Sequence, residues 1–261
     1  AALSALSTLT AAASCNKGSV ISRCRNSKVV YRISWFITGR MSSFQNLRDM
    51  RAKYLEGHEA FTENQLVSRE DPFVQFKAWF DEAKNTKEII EPTAVCLATA
   101  TSNGIPSARM VLMKGYGPEG FQFFTHYTSR KGKELEQNSK AALLFYWDIL
   151  HKQIRIEGEV IKLPIDEAEK YFKSRPVPSQ IGSAASNQSC IIPNRDYLLE
   201  KAKELEKRFE EVGEVERPPF WGGYLFVPNL FEFWQGQSDR LHDRICFKRN
   251  ETGWECYRLA P

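Results

Sequence analysis

Four short stretches of this 261-residue chain gather cations, hydroxyls and rings at spacings that suit an anionic ligand. In residues 107–114, SARMVLMK, Arg109, Val111 and Met113 share one face of an extended chain, and Met110, Leu112 and Lys114 share the other. A basic residue inside an apolar strand needs an anion or an exposed edge. In SRKGK, residues 129–133, Ser129 opens a short helix that carries Arg130 and Lys131 in its first turn. Main-chain N–H groups, the helix dipole and two cations there make either a phosphate site or a solvated basic turn. Tyr171 and Arg175 stand four apart on a helix, and Ser179 follows the stop at Pro176; two hydroxyls and a guanidinium on one side suit phosphate. In WQGQSDRLHDR, residues 234–244, Arg240, His242 and Arg244 fall in phase on an extended chain beside Trp234. His242 is read either as a site residue or as a hydrogen-bonded structural histidine.

Other chemistries find little support. GYGPEG, residues 115–120, fits G-x-G-x-x-G, but β-like FQFF follows it and Pro118 suits a hairpin, whereas a dinucleotide site needs a helix there. His58, His126 and His151 are scattered without metal-ligand spacing. Neither a serine nucleophile elbow nor a phosphate-binding loop of the G-x-x-x-x-G-K-[ST] type occurs.

The elements that must position these residues read mainly as strands. Helices are expected over 44–62, from Asp71-Pro72 onward, over 129–138, 166–174 and 194–213. Asp71 caps the second of these, and Phe73, Phe76, Trp79 and Phe80 form its core stripe. Strands are expected over 93–101, 107–115, 121–125, 141–147, 153–163, 221–227, 230–235, 241–249 and 254–259. In 153–163, Ile154, Ile156 and Val160 alternate with Gln153, Arg155, Glu157 and Glu159. Residues 178–190 are small and polar. Many strands with few long helices between them favour an α+β, mainly β, antiparallel barrel with peripheral helices over a βαβ sheet.

Composition is that of a globular protein, 42% hydrophobic and 26% charged, with net charge +4. The charge is uneven: the first 40 residues hold six basic residues and no acid, leaving 30 basic and 32 acidic groups in the rest. Residues 1–43 read as a disordered leader or a targeting segment of mitochondrial type, with Met41 as a second possible start, and residues 44–261 as one domain. A near-neutral body argues against nucleic acid. No apolar run is long enough for a membrane span. Six cysteines without a C-x-x-C pair fit a reducing compartment, so a cytoplasmic or mitochondrial rather than secreted protein is expected.

Taken together, SARMVLMKG (107–115), FFTHYTSRKGKEL (123–135), QIRIEGEV (153–160), YFKSRPVPSQIG (171–182), NQS (187–189), FWQGQSDRLHDR (233–244) and the terminal YRLAP (257–261) resemble the pyridoxine/pyridoxamine 5′-phosphate oxidase family. The resemblance covers about residues 50–261. It implies an FMN-binding split β-barrel, a homodimer with FMN at the subunit interface, and oxidation of pyridoxine 5′-phosphate and pyridoxamine 5′-phosphate to pyridoxal 5′-phosphate, with O2 reduced to hydrogen peroxide. It implies FMN contacts from Arg109, Met110, Val111, Leu112, Phe124, Thr125, Arg130, Lys131, Gln153, Gln188, Ser189, Trp234 and Arg244. It places Lys114, Tyr171, Arg175 and Ser179 at the substrate phosphate. Arg240 and His242 would bind over the pyridine ring as the catalytic pair, during hydride transfer from the substrate C4′ to the flavin N5. The family's basic segment over the substrate has no clear counterpart: residues 54–58, YLEGH, contain no arginine. Two other readings are a flavin reductase on the same barrel and a non-catalytic carrier of flavin or pyridoxal phosphate. The first would not need the phosphate clamp together with Arg240 and His242.

Overall fold

The computed structural model describes residues 60–261. The expected leader, all but the end of the expected 44–62 helix, and His58 lie outside the described residues. Helix α1, Pro72–Asn85, begins where Asp71 accepts a hydrogen bond from the Phe73 N–H at 2.8 Å. Its Phe73, Phe76, Trp79 and Phe80 are buried. The Phe76 ring meets Phe80, Tyr116, Phe121 and Phe145 at centroid distances between 4.9 and 5.7 Å. The stripe is therefore core, as its spacing suggests.

The strands are β1 Ala94–Ala100, β2 Pro106–Leu112, β3 Gly115–Gly117, β4 Gly120–His126, β5 Lys140–Trp147, β6 Lys152–Lys162, β7 Trp221–Gln235, β8 Asp243–Asn250 and β9 Gly253–Arg258. The helices after α1 are α2 Arg130–Gln137, α3 Ile165–Ser174, α4 Val177–Ala185 and α5 Asp196–Val212. All pairings are antiparallel, in the order β2-β1-β5-β6-β7-β4-β3, with β8 joining β7 to β9. This is the mainly β, α+β architecture expected, with helices at its periphery.

Two local readings change and a third holds. The strands expected over 221–227 and 230–235 are one strand, β7, which crosses Pro228 where β6 shifts register at Glu157/Gly158. A Cβ at Gly158 would lie 2.2 Å from the Val227 carbonyl oxygen, so only glycine fits that crossing. The small, polar stretch after residue 177 begins as α4, with Pro178 in its first turn. GYGPEG is the β3–β4 hairpin, as its proline suggests.

Strand β7 organises the site. Residues 221–226 pair with β4, and residues 230–235 pair with β8. Its ends are separated by about 46 Å of chain at roughly 3.3 Å per residue. Among the described residues, no helix is long and apolar enough to cross a membrane.

Candidate active site

A cavity of about 270 Å3 opens between β2, β4, α3 and the start of β7. Ten of the expected site residues line it: Met110, Val111, Leu112, Lys114, Phe124, Thr125, Lys131, Tyr171, Arg175 and Gln188. His126, Ser183 and Trp221 complete the wall. Its cations are Lys114, Lys131 and Arg175, and none of its lining residues is acidic.

The strand pattern explains the wall. Along β2 the side chains alternate, with Met110 and Leu112 exposed and Arg109 and Val111 half-buried. On β4, Phe124 opposes Gly223 of β7. A Cβ at Gly223 would lie 2.6 Å from the Phe124 ring, so this glycine makes room for it. Phe124 stacks on Tyr171 at 4.0 Å and on Trp221 at 5.5 Å between centroids. The Arg175 guanidinium lies 5.0 Å from the Trp221 ring centre and donates to Ser183 Oγ at 2.9 Å.

Arg175 is not on the helix with Tyr171 as expected. α3 ends at Ser174, and Arg175 is its extended C-cap. Gln180 Nε2 donates to the Arg175 carbonyl at 2.7 Å and fixes the turn. Tyr171 and Arg175 still reach one cavity, because the turn folds the guanidinium back over Trp221. Ser179 does not line the cavity; Ser183, one helical turn further along α4, does.

At the other wall, Lys131 Nζ donates to Gln188 Oε1 at 2.6 Å and Thr125 Oγ1 at 3.2 Å. Burial, and then repulsion from Arg109, bring its ammonium down to about 8, against an opposing pull from Glu134. His126 is buried, and its Nδ1 lacks a hydrogen-bond partner among the described residues. Burial first, then Lys131 and Arg175, lower its imidazolium to about 4, so the ring is neutral near pH 7.

Arg109 and Arg130 do not line this cavity. Arg109 donates to the Leu97 carbonyl, Thr99, Ser107 and Glu134, the last at 3.2 Å. Arg130 Nε donates to the other Glu134 oxygen at 2.9 Å. Burial pushes the Glu134 carboxyl up, but hydrogen bonds from Thr99, Arg130 and Arg109 outweigh it and leave it below the ordinary value. Arg130 and Ser189 instead line a neighbouring hollow of about 400 Å3.

The remaining expected residues gather at the far end of β7. Gln153 opposes Trp234, which opposes Arg244. Arg244 donates to Glu232 at 2.9 and 3.1 Å and to the Ala260 carbonyl at 2.8 Å, and Arg155 holds the same carboxylate. Trp234 and His242 lie 4.9 Å apart between ring centres. The extended phase expected for residues 240–244 does not hold, because β8 starts only at Asp243. Arg240 sits in a turn at φ 69 and Ser189 at φ 70. Left-handed backbone is strained for both residue types, and such strain gathers at functional sites.

The family model described as pyridoxamine 5′-phosphate oxidase matches residues 82–209, and that described as the pyridoxine 5′-phosphate oxidase C-terminal dimerisation region matches residues 221–261. The chain is 52% identical over 231 residues to pyridoxine-5′-phosphate oxidase of Bos taurus, covering 83% of this chain and 88% of the relative. The chain belongs to the pyridoxamine 5′-phosphate oxidase family. It is also 49% identical over 255 residues to pyridoxine/pyridoxamine 5′-phosphate oxidase of Bombyx mori, covering 90% of this chain and 99% of the relative. Among solved structures, PhzG from Burkholderia lata 383, in complex with tetrahydrophenazine-1-carboxylic acid, matches with TM-score 0.71 and 36% identity, covering 78% of this chain and 98% of that one. A pyridoxamine 5′-phosphate oxidase-related, FMN-binding protein from Nostoc punctiforme matches in fold, with TM-score 0.57 and 16% identity over 73% of this chain and 98% of that one.

As a member of this family, the chain shows three wall residues that sequence reasoning passed over. His126 stands two residues from Phe124, a β-period signal that could have flagged it. Trp221 was legible only as the first residue of a strand. Ser183 gave no signal, because its place depends on α4, which the small, polar composition hid.

Proposed function

We propose that the protein is an FMN-dependent oxidase that converts pyridoxine 5′-phosphate and pyridoxamine 5′-phosphate to pyridoxal 5′-phosphate, with O2 as electron acceptor and hydrogen peroxide as product; the amine also consumes water and releases ammonia. One observation carries the reading: the cavity brings three cations and a three-ring aromatic wall together without an acid. A phosphate ester on an aromatic ring supplies the matching charge and flat surface.

The residues present fit a phosphorylated flavin as well as a phosphorylated substrate. Lys131, Thr125 and Gln188 form a bonded polar group that would hold FMN, with Met110, Val111 and Leu112 along the adjoining strand. Gln153, Trp234 and Arg244 belong to the far end of β7. A dimer reconciles the two sets, with one subunit giving the cavity and its partner the β7–β8 end, so that FMN lies at the interface. The exposed apolar side chains Met110 and Leu112 at the cavity mouth suit such a contact.

When bound, FMN supplies the acceptor for the hydride that leaves substrate C4′. Lys114, Tyr171 and Arg175 bind the substrate phosphate, with Ser183 orienting the Arg175 guanidinium. Arg240 and His242 orient the substrate ring and its C4′ group. Holding the reactants at near-attack geometry can lower the barrier by several kcal/mol, up to roughly 11 kcal/mol for ideally oriented reactants. The test is direct. Purified full-length protein should show a yellow flavin spectrum, and pyridoxine 5′-phosphate added in air should yield pyridoxal 5′-phosphate and peroxide. A protein that FMN cannot reconstitute, or that binds FMN without turnover, overturns the reading.

A further inference from the structure

Gln237 makes three contacts around the Arg240–His242 turn. Its main-chain N–H donates to His242 Nδ1 at 3.0 Å. Its carbonyl accepts from the Arg240 N–H at 3.2 Å. Its side-chain Nε2 donates to Asp243 Oδ2 at 2.7 Å. Asp243 is buried and firmly held, since it also accepts from the Phe61 N–H at 2.8 Å and Arg258 Nη1 at 2.7 Å. Gln237 thus links a fixed carboxylate to the strained turn that carries Arg240 at φ 69.

The contact with His242 has a chemical consequence. A main-chain N–H can only donate, so Nδ1 must present its lone pair. A neutral imidazole has one such nitrogen, and the proton therefore resides on Nε2. We propose that Gln237 is a positioning residue that presets His242 as an Nε2–H hydrogen-bond donor toward the substrate. In that state His242 does not receive the proton lost from the substrate alcohol or amine: Nδ1 is committed to Gln237 and Nε2 already carries a hydrogen. The side-chain bond to Asp243 keeps the Gln237 main chain in register with the imidazole. The inference rests on the oxidase reading only in letting His242 face substrate; the tautomer itself does not depend on it.

Nitrogen-15 NMR of histidine-labelled, FMN-loaded full-length protein reads the tautomer, with His242→Asn assigning the signals. The expected result is a pyridine-type Nδ1 and a protonated Nε2; a protonated Nδ1 overturns the proposal. Gln237→Met removes the Asp243 bond at nearly constant volume. It should lower kcat about tenfold, equivalent to roughly 1.4 kcal/mol of barrier, leave KM little changed, and give His242 a mixture of tautomers. An unaltered tautomer and kcat in this variant overturn the positioning role, whatever happens to thermal stability. His242→Gln, whose amide can donate where Nε2–H does, should retain more turnover than His242→Asn; the reverse order overturns the donor assignment. Wild-type protein that lacks oxidase activity but shows the expected tautomer would defeat the functional reading alone. The wild-type spectrum decides the tautomer even if Gln237→Met does not fold.

Discussion

Around the cavity, Lys114, Lys131 and Arg175 stand without an acidic neighbour in the wall, while at the far end of β7 every buried acid is matched. There Glu232 takes Arg155 and Arg244, and Asp243 takes Arg258. Burial pushes the Glu232 carboxyl up, but hydrogen bonds from Arg244 and Arg155 outweigh it and hold it below its ordinary value. The two regions share one strand and use the same residue types. The difference lies in how the charges are met: the far end is closed by its own side chains, whereas the cavity wall holds three cations and no acid, which is what the proposed phosphate ligands would answer. Net charge does not reveal this, and the pairing of individual groups does.

The comparison can be broken most forcefully at Glu232. Glu232→Gln leaves two arginines facing a neutral group, and should cost about 3 kcal/mol of unfolding free energy in denaturant titrations. That figure is at the low end for a broken buried pair because the Arg155 and Arg244 side chains are 34% and 28% exposed. Sulfate affinity at the cavity should not change. Arg175→Ala should do the opposite. Loss of a charge-assisted contact should weaken sulfate binding about 30-fold, or roughly 2 kcal/mol, by calorimetry, with unfolding free energy held. A stability loss like that of Glu232→Gln would show that Arg175 is structural.

Smaller effects sharpen the contrast through pH. Lys131 is brought down to about 8, so it loses its charge as pH rises through 8. Sulfate, which does not titrate in this range, should bind more weakly above pH 8, and Lys131→Met should flatten that decline. His126 reads out in stability. Its folded value is about 4 against an ordinary 6.5. The unfolded chain therefore takes up this proton first, and stability is lost as pH falls from 6.5 through 4, with no further loss from this group below that. His126→Asn should shrink that acid limb in denaturation curves taken across the range.

Much of this was legible in the residues. Periodicity in β6, the proline-started α1 and the alternation of β2 carried enough signal to place most strands and to set Arg109 and Val111 on one face of β2. The motif resemblance brought most of the cavity residues together. What it could not reveal was who already had a partner. Arg109 looked like a free cation because it stands on β2 and only the fold brings the Glu134 carboxylate of α2 to it, whereas Arg130 and Glu134 are four apart on α2 and their pairing follows from helix spacing alone. The Arg175 turn depends on Gln180, five residues on, and the left-handed Arg240 depends on contacts with Gln237. Both are short-range contacts that hydrophobic periodicity does not register, and the small residues of α4 conceal their helix in the same way.

The bond between Arg258 and the start of the domain has a consequence for biosynthesis. Arg258 Nη2 donates to the Phe61 carbonyl at 2.8 Å, and Phe61 in turn donates to Asp243. These links span 197 and 182 positions of chain. A nascent chain can build α1 and the early hairpins as they emerge, but the seam at Phe61 stays open until Asp243 and Arg258 have been made. Such distant closure slows folding and lengthens the exposure of unfinished edges. A chain that stops before Arg258 would thus lose the clasp that registers Phe61 against β8 and β9.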